Sequence, residues 1–361
     1  MYRPMYRPRL LGWQDSNAYH IVSRTTGREL LFGPAEREMF ARMLDKAARF
    51  CGVEVLTWCC LSNHFHLLVR VSEPQADALR ERLRTDPAAL LEHLRILYKK
   101  AAVRGMAAEW AQLREQGHDA LADAMVERLL LRVGDLSVFV KELKQRYSIW
   151  FNARHQRDGA LWSARFRSVL VENTARSLRT VAAYIDLNAV RAGLATDPKD
   201  YRWCGYGQAM GGVREARAGL LAMLRTDGRG GECGGGDGGG GSDACSLGWR
   251  QAAEDYRVLM FGKAVELDDG GGDASSGLTR KGASPEEVAK VLDAGGKLPV
   301  AQLFRLRVRH LTDGTALGSK DFLQGVVENR PQQVSDRRKD GARPIRCLDA
   351  GDFASLRDLS A

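Results

Sequence analysis

The sequence predicts a mixed α/β (α+β) fold, and three observations carry that expectation. Four short runs rich in β-branched, aromatic and other apolar residues, at 18–23, 53–60, 64–71 and 161–172, read as strands. Between and after them lie longer stretches with apolar residues at helical spacing. The chain has 361 residues, 44% apolar and 27% charged, enough for a substantial core. That composition excludes a wholly disordered chain, a collagen-like fibre and a small disulfide scaffold.

The first strand signal is Ala18-Tyr19-His20-Ile21-Val22-Ser23. A helix is expected over 34–50, with Phe40, Leu44 and Ala47 or Ala48 on one face. Pro34 suits its first turn and Gly52 its end. The runs at 53–60 and 64–71, split by Leu61-Ser62-Asn63, read as paired strands or antiparallel arms. Residues 75–135 turn rich in Ala, Leu, Arg and Glu and read as inserted amphipathic helices, for example 88–102 and 120–132. A longer helix follows over 136–154, then the strand at 161–172 and a helix over 175–191 closed by Gly193.

Glycine is unusually frequent, at 38 residues, and it clusters. Residues 226–246 hold ten glycines in 21 positions, a flexible spacer with an r.m.s. span of ~25 Å. A short helical piece at 247–259 precedes a second Gly/Asp/Ser spacer at 268–277. Helices are expected at about 284–294, behind a capping box, and at 300–311. The division expected is a catalytic unit over 1–225, a linker region over 226–277, a small helical module over 278–330 and a disordered tail over 331–361.

The chain carries 54 Lys and Arg against 45 Asp and Glu, a net charge of +9. Between positions 136 and 217 there are 14 basic and 7 acidic residues, so that segment holds +7 of it. Tyr147, Trp150, Trp162, Phe166, Tyr184 and Trp203 are interleaved there, a pattern suited to single-stranded or hairpin nucleic acid. Within it, Lys144, Arg146, Arg165 and Arg167 are candidate DNA-phosphate contacts. Seven cysteines with no C-x-x-C argue against a zinc ribbon and for free thiols in a reducing cytoplasm. No run of 18 apolar residues is present, so no membrane span is expected, and the basic start reads as no signal peptide.

Two pairs of residues can carry chemistry. In His64-Phe65-His66 the two imidazoles share one side of a strand, as a pair of metal ligands would; two histidines on a polar strand face are the plainer reading. Tyr184 and Asn188 stand four apart on a helix, offering a phenol nucleophile and an amide oxygen on one face, against a core-boundary tyrosine and a helix-end asparagine. Tyr147, beside Arg146, is a rival nucleophile. His20 and His155 read as structural or surface histidines.

Three strings occur in order: His64-Phe65-His66-Leu67-Leu68-Val69, then Trp162-Ser163-Ala164-Arg165-Phe166-Arg167-Ser168, then Tyr184-Ile185-Asp186-Leu187-Asn188-Ala189-Val190-Arg191-Ala192-Gly193. With them, over roughly 10–210, the chain resembles the HUH single-tyrosine transposases, most of all the REP-associated tyrosine transposases. The resemblance implies a ferredoxin/RRM-like catalytic domain with a central antiparallel sheet flanked by helices. It implies Mg²⁺ or Mn²⁺ held by His64, His66 and Asn188, with Tyr184 attacking a DNA phosphodiester to leave a 5′-phosphotyrosine and a 3′-OH. The partners implied are hairpins at palindromic repeats, met by a monomer or homodimer. Where the family has proline after the asparagine, this chain has Ala189, which lets the helix continue and alters how Asn188 is aimed.

A non-catalytic DNA-binding protein, such as a domesticated transposase acting as a repressor, is the competing reading, and an RNA-binding protein is a third. The first has no use for all four of His64, His66, Tyr184 and Asn188.

Overall fold

The computed structural model describes residues 10–224, 241–261, 310–329, 343–344 and 353–356. Strand β1 (Ser16–Arg24) leads through helix α1 (Pro34–Cys51) to β2 (Glu54–Cys60) and β3 (His64–Ser72). Four inserted helices follow: α2 (Glu73–Thr85), α3 (Pro87–Leu94), α4 (Lys100–Glu115) and α5 (Asp119–Leu130). The long α6 (Leu136–His155) returns to β4 (Arg167–Val171). Then come α7 (Ala175–Asp186), α8 (Asn188–Arg191), α9 (Gly205–Met210) and α10 (Arg214–Leu224).

The first four strands are all antiparallel in the order β2-β3-β1-β4, the arrangement of a split β-α-β-β-α-β unit. The expected central antiparallel sheet flanked by helices is therefore present. Alternation along the strands divides the core in two. Tyr19, Ile21, Phe65, Leu67 and Leu170 face α1 and α6, packing on Phe40, Leu44, Phe139, Leu143 and Tyr147. Ala18, Leu68, Val169 and Val171 face α7 to α10, packing on Leu178, Val181, Ile185 and Leu220. Both faces are covered, which is why the central strands read as nearly continuous apolar runs.

Local chemistry sets the element ends. Gly52 closes α1 in the left-handed region (φ 60°), and its amide donates to Ala48. The Asp135 carboxylate accepts from the amides of Ser137 and Val138 and starts α6. Thr174 caps α7 through Ser177. The helix expected over 175–191 is interrupted for one residue, Leu187, between α7 and α8.

The strand expected over 161–172 is shorter than the apolar pattern. Residues 161–166 leave the ladder and wrap the end of β1, where Thr26 donates to Leu161 and Ser163 donates to Arg24. Trp162 is drawn into the α6 side by Phe32, Phe65 and Tyr147.

Beyond position 224 the described parts are α11 (Gly241–Phe261), α12 (His310–Asp313), β5 (Ala316–Gly318), α13 (Lys320–Asn329), β6 (Arg343–Pro344) and β7 (Ala354–Leu356). Helix α11 begins inside the expected glycine spacer and docks on the α7 side through Trp249, Ala253 and Tyr256. β5 pairs parallel with β4, and β7 and β6 follow, so the sheet has seven strands. This corrects two expectations about local structure: 278–330 is not helical throughout, and 331–361 contains strand. A three-residue strand is too short to show a period of two, and its stability comes from the β4 edge it covers. The expected helix at 284–294 and most of that at 300–311 lie outside the described residues. No helix among the described residues is long and apolar enough to cross a membrane.

Candidate active site

The site is built where β1 and β3 run side by side beneath α7. Val22 pairs with His66 and His20 with Leu68, and alternation turns His20, His64 and His66 toward the α7 face. Phe65 points the other way and is fully buried against Phe40 and Trp162. The strand is thus held by Phe65 while its histidines are presented on the opposite side. Helix α7 brings Tyr184 over them, its ring centroid 5.8 Å from both the His66 and His20 rings.

Hydrogen bonding orders the imidazoles. His64 Nδ1 lies 2.6 Å from Asn63 Oδ1. Asn63 uses its amide nitrogen on the Arg28 carbonyl, so its oxygen accepts and His64 Nδ1 donates. His20 Nδ1 lies 2.7 Å from the Leu311 carbonyl, and His20 Nε2 lies 2.9 Å from His66 Nδ1. Burial pushes the His20 imidazolium down to about 4; the Leu311 contact opposes this and the nearby Arg191 charge adds to it. His66 is pushed well below the ordinary range, first by burial, then by His64, His20, Arg191 and Arg24. Both rings are neutral at pH 7.

Asn188 Nδ2 donates to the Tyr184 carbonyl at 3.2 Å, one turn back, so its oxygen is what that side chain has to offer the site. Arg191 donates to the same carbonyl and stacks its guanidinium on the Tyr184 ring, 4.1 Å from the centroid.

His64, His66, Tyr184, Asn188 and Arg191 line one cavity of about 780 Å³. His64, His66, Tyr184 and Asn188 share its wall with five arginines, Arg24, Arg28, Arg165, Arg167 and Arg191, and with no carboxylate among the described residues. Such a wall attracts a phosphodiester. Tyr184 and Asn188, both on that wall, are each only 7% exposed.

Of the residues singled out from sequence, His64, His66, Tyr184, Asn188, Arg165 and Arg167 are brought together here. Lys144 and Arg146 are not. Lys144 donates to the Ala164 carbonyl at 2.9 Å beside Trp162, and burial lowers its pKa to about 8. Arg146 pairs with Glu142, donates to the Leu97 carbonyl and stacks on Tyr98. Tyr147 is a core residue, fully buried between Phe32 and Phe40, with its hydroxyl donating to the Glu36 carbonyl and its pKa raised by burial. It does not reach the cavity. His155 packs at a tilt on Phe151 and meets Glu36.

Sequence reasoning missed His20, Arg24, Arg28 and Arg191 as site residues. The strand alternation already put His20 on one face with Ala18 and Val22, but only the β1–β3 register sets it against His66.

The donor set suits a divalent ion: two imidazoles, each with Nδ1 engaged as a donor or turned toward a neighbouring ring, and an amide oxygen. His20 is not part of that set, since Leu311 and His66 occupy both its nitrogens. Accordingly, among the described residues no three His, Cys, Asp or Glu side chains are grouped to hold a metal.

Residues 14–78 match the family model described as "Transposase IS200 like". That stretch contains β1, α1, β2 and β3 and therefore His20, His64 and His66. The chain thus resembles the IS200-like transposases over the segment that supplies the histidines. One similar solved structure is titled "Structure of the REP associates tyrosine transposase bound to a REP hairpin". It has a TM-score of 0.33 and 14% identity, over 59% of this chain and 86% of that one. No curated protein is significantly similar to the chain.

Proposed function

We propose that the protein is a metal-dependent nickase and strand transferase acting on single-stranded or hairpin DNA, with Tyr184 as nucleophile. One observation carries this reading: a phenol, two imidazoles and an amide line a single cavity in which, among the described residues, the charged side chains are five arginines. A purely electrostatic DNA binder needs the arginines but not the other four.

In the reaction proposed, Tyr184 Oη forms a bond to phosphorus and the P–O3′ bond breaks. The phenol proton goes to solvent, and O3′ gains a proton and leaves as the 3′-OH. The downstream strand stays on the tyrosine through its 5′ phosphate, and the phosphodiester energy is kept for rejoining. Mg²⁺ or Mn²⁺ held by His64, His66 and Asn188 would neutralise charge on the scissile phosphate. Arg165 and Arg167 hold the flanking phosphates by charge-assisted hydrogen bonds. Arg191 fixes the phenol ring and favours its anionic form when it leaves in the rejoining step.

Palindromic hairpins are the substrate this reading favours. Incubating the full chain with Mn²⁺ and a panel of hairpin oligonucleotides should yield a covalent adduct that survives denaturation. Tight metal-independent hairpin binding across the panel with no adduct would replace this reading with that of a DNA-binding repressor.

A further inference from the structure

His20 is fully buried, His66 is 1% exposed, and their rings stack at 5.2 Å with 22° between planes. Around them a single chain of contacts runs from the Leu311 carbonyl to His20 Nδ1, and from His20 Nε2 to His66 Nδ1. A carbonyl can only accept, so His20 carries its proton on Nδ1. A second proton on Nε2 would make a buried cation in a site that already contains Arg191, at high cost. His20 Nε2 is therefore the acceptor, and the proton between the two rings belongs to His66 Nδ1. That leaves the lone pair of His66 on Nε2. One backbone oxygen thus decides, through two rings, which nitrogen His66 can give to a metal.

We propose that His20 is a positioning residue that holds His66 in its Nδ1–H form, and that the Leu311 carbonyl is the fixed end of this relay. The assignment rests on the reading of His66 as a metal ligand. It has a structural corollary. Leu311 belongs to α12, on the far side of the glycine-rich stretch, and α12 is continuous with β5, which pairs with β4. Thr312, next to Leu311, lines the cavity itself. The segment after the spacer is thus part of the active-site frame, although every reacting side chain lies before it. A metal-binding histidine whose outer nitrogen is bonded to a fixed partner has its orientation and tautomer set in advance, and losing such a partner weakens metal binding by roughly 10- to 100-fold.

The test uses the full-length, metal-free protein. Nitrogen-15 NMR of the histidine rings reports which nitrogen of His66 is protonated, and calorimetry with Mn²⁺ alone reports affinity. Wild type should show His66 protonated on Nδ1. His20→Leu removes the acceptor and should move His66 toward the Nε2–H form and weaken Mn²⁺ binding about 10-fold or more. His20→Gln, whose amide can accept from His66 and donate to Leu311, should keep the Nδ1–H form and most of the affinity. Finding His66 protonated on Nε2 in wild type overturns the relay without any variant. So does a folded His20→Leu with unchanged tautomer and affinity, or a His20→Gln that loses as much as His20→Leu. If the tautomer and Mn²⁺ results come out as expected while no oligonucleotide yields adduct, the nicking reading fails and the relay stands.

Discussion

The guanidinium of Arg191 lies 4.1 Å from the centroid of the Tyr184 ring and donates to the Tyr184 backbone carbonyl. The two residues are seven apart, two helical turns, and the intervening Asn188 bonds to the same carbonyl. The proposed nucleophile, the candidate ligand and the cation are thus tied to one peptide group. Replacing Arg191 by Leu removes a stacked cation worth about 1–2 kcal/mol at a desolvated site. Adduct formation should slow by about 10-fold, and rejoining at least as much, with Mn²⁺ binding largely retained. Single-turnover cleavage and rejoining assays separate these steps.

Tyr184→Phe should abolish the covalent adduct while leaving the fold intact, because the ring keeps its contacts with His20, His66 and Arg191. Tyr147→Phe should do the reverse. It removes one buried hydrogen bond, to the Glu36 carbonyl, and should cost about 1 kcal/mol of stability with the adduct still formed. Denaturing gels with labelled oligonucleotide, paired with urea melts, distinguish the two.

Stability should fall as pH drops from about 6.5 to about 4. The folded His20 pKa is near 4, against 6.5 for the free group, so the unfolded chain takes up a proton that the native site refuses. Stability from this group is complete above 6.5 and is lost through that window, by about 3 kcal/mol. His66 acts in the same direction. Asp186 opposes them. Burial raises its pKa to about 7 despite bonds from Tyr256, Thr57 and Tyr206, so its contribution is present at low pH and is lost as pH rises from about 4 to 7. His20→Gln should flatten the acid limb of a denaturation series, and Asp186→Asn should steepen it.

Gly318→Ala should destabilise by about 1–3 kcal/mol. A Cβ at Gly318 would lie 2.6 Å from Glu172 Cβ and 2.7 Å from the Phe322 ring, and Glu172 also accepts from the amide and hydroxyl of Ser319. The loss should be accompanied by faster amide exchange in β4, whose edge β5 covers.

Arg165→Ala and Arg167→Ala should weaken DNA binding uniformly across sequences, each reducing the slope of log affinity against log salt by about 1. Lys144→Ala, whose ammonium is spent on the Ala164 carbonyl, should leave that slope unchanged.

Much of the fold was legible because its signals are local. The His64-Phe65-His66 alternation, the Asp135 cap of α6 and the Gly52 end of α1 depend on neighbours within a few residues. The four-residue spacing of Tyr184 and Asn188 placed both on one helix face, and Asn188 does bond back across that turn. What misled was charge. Lys144 and Arg146 sit in a basic segment, but whether a cation is offered to a ligand or used on a carbonyl depends on the packing around it. The same holds for Tyr147, whose basic neighbour suggested reactivity but whose ring is buried among aromatic side chains and whose hydroxyl is used on the Glu36 carbonyl.

The strand–helix order, the histidine pair, the tyrosine–asparagine turn and the basic segment at 136–217 are legible in the sequence, since periodicity, capping and composition are properties of adjacent residues. Only the tertiary arrangement sets His20 behind His66, brings five arginines to the cavity that Tyr184 lines, and returns a segment beyond the glycine spacer to supply Leu311 and β5. Those contacts join residues up to 291 positions apart. They exist only through strand register and the burial of both sheet faces, which no local pattern encodes.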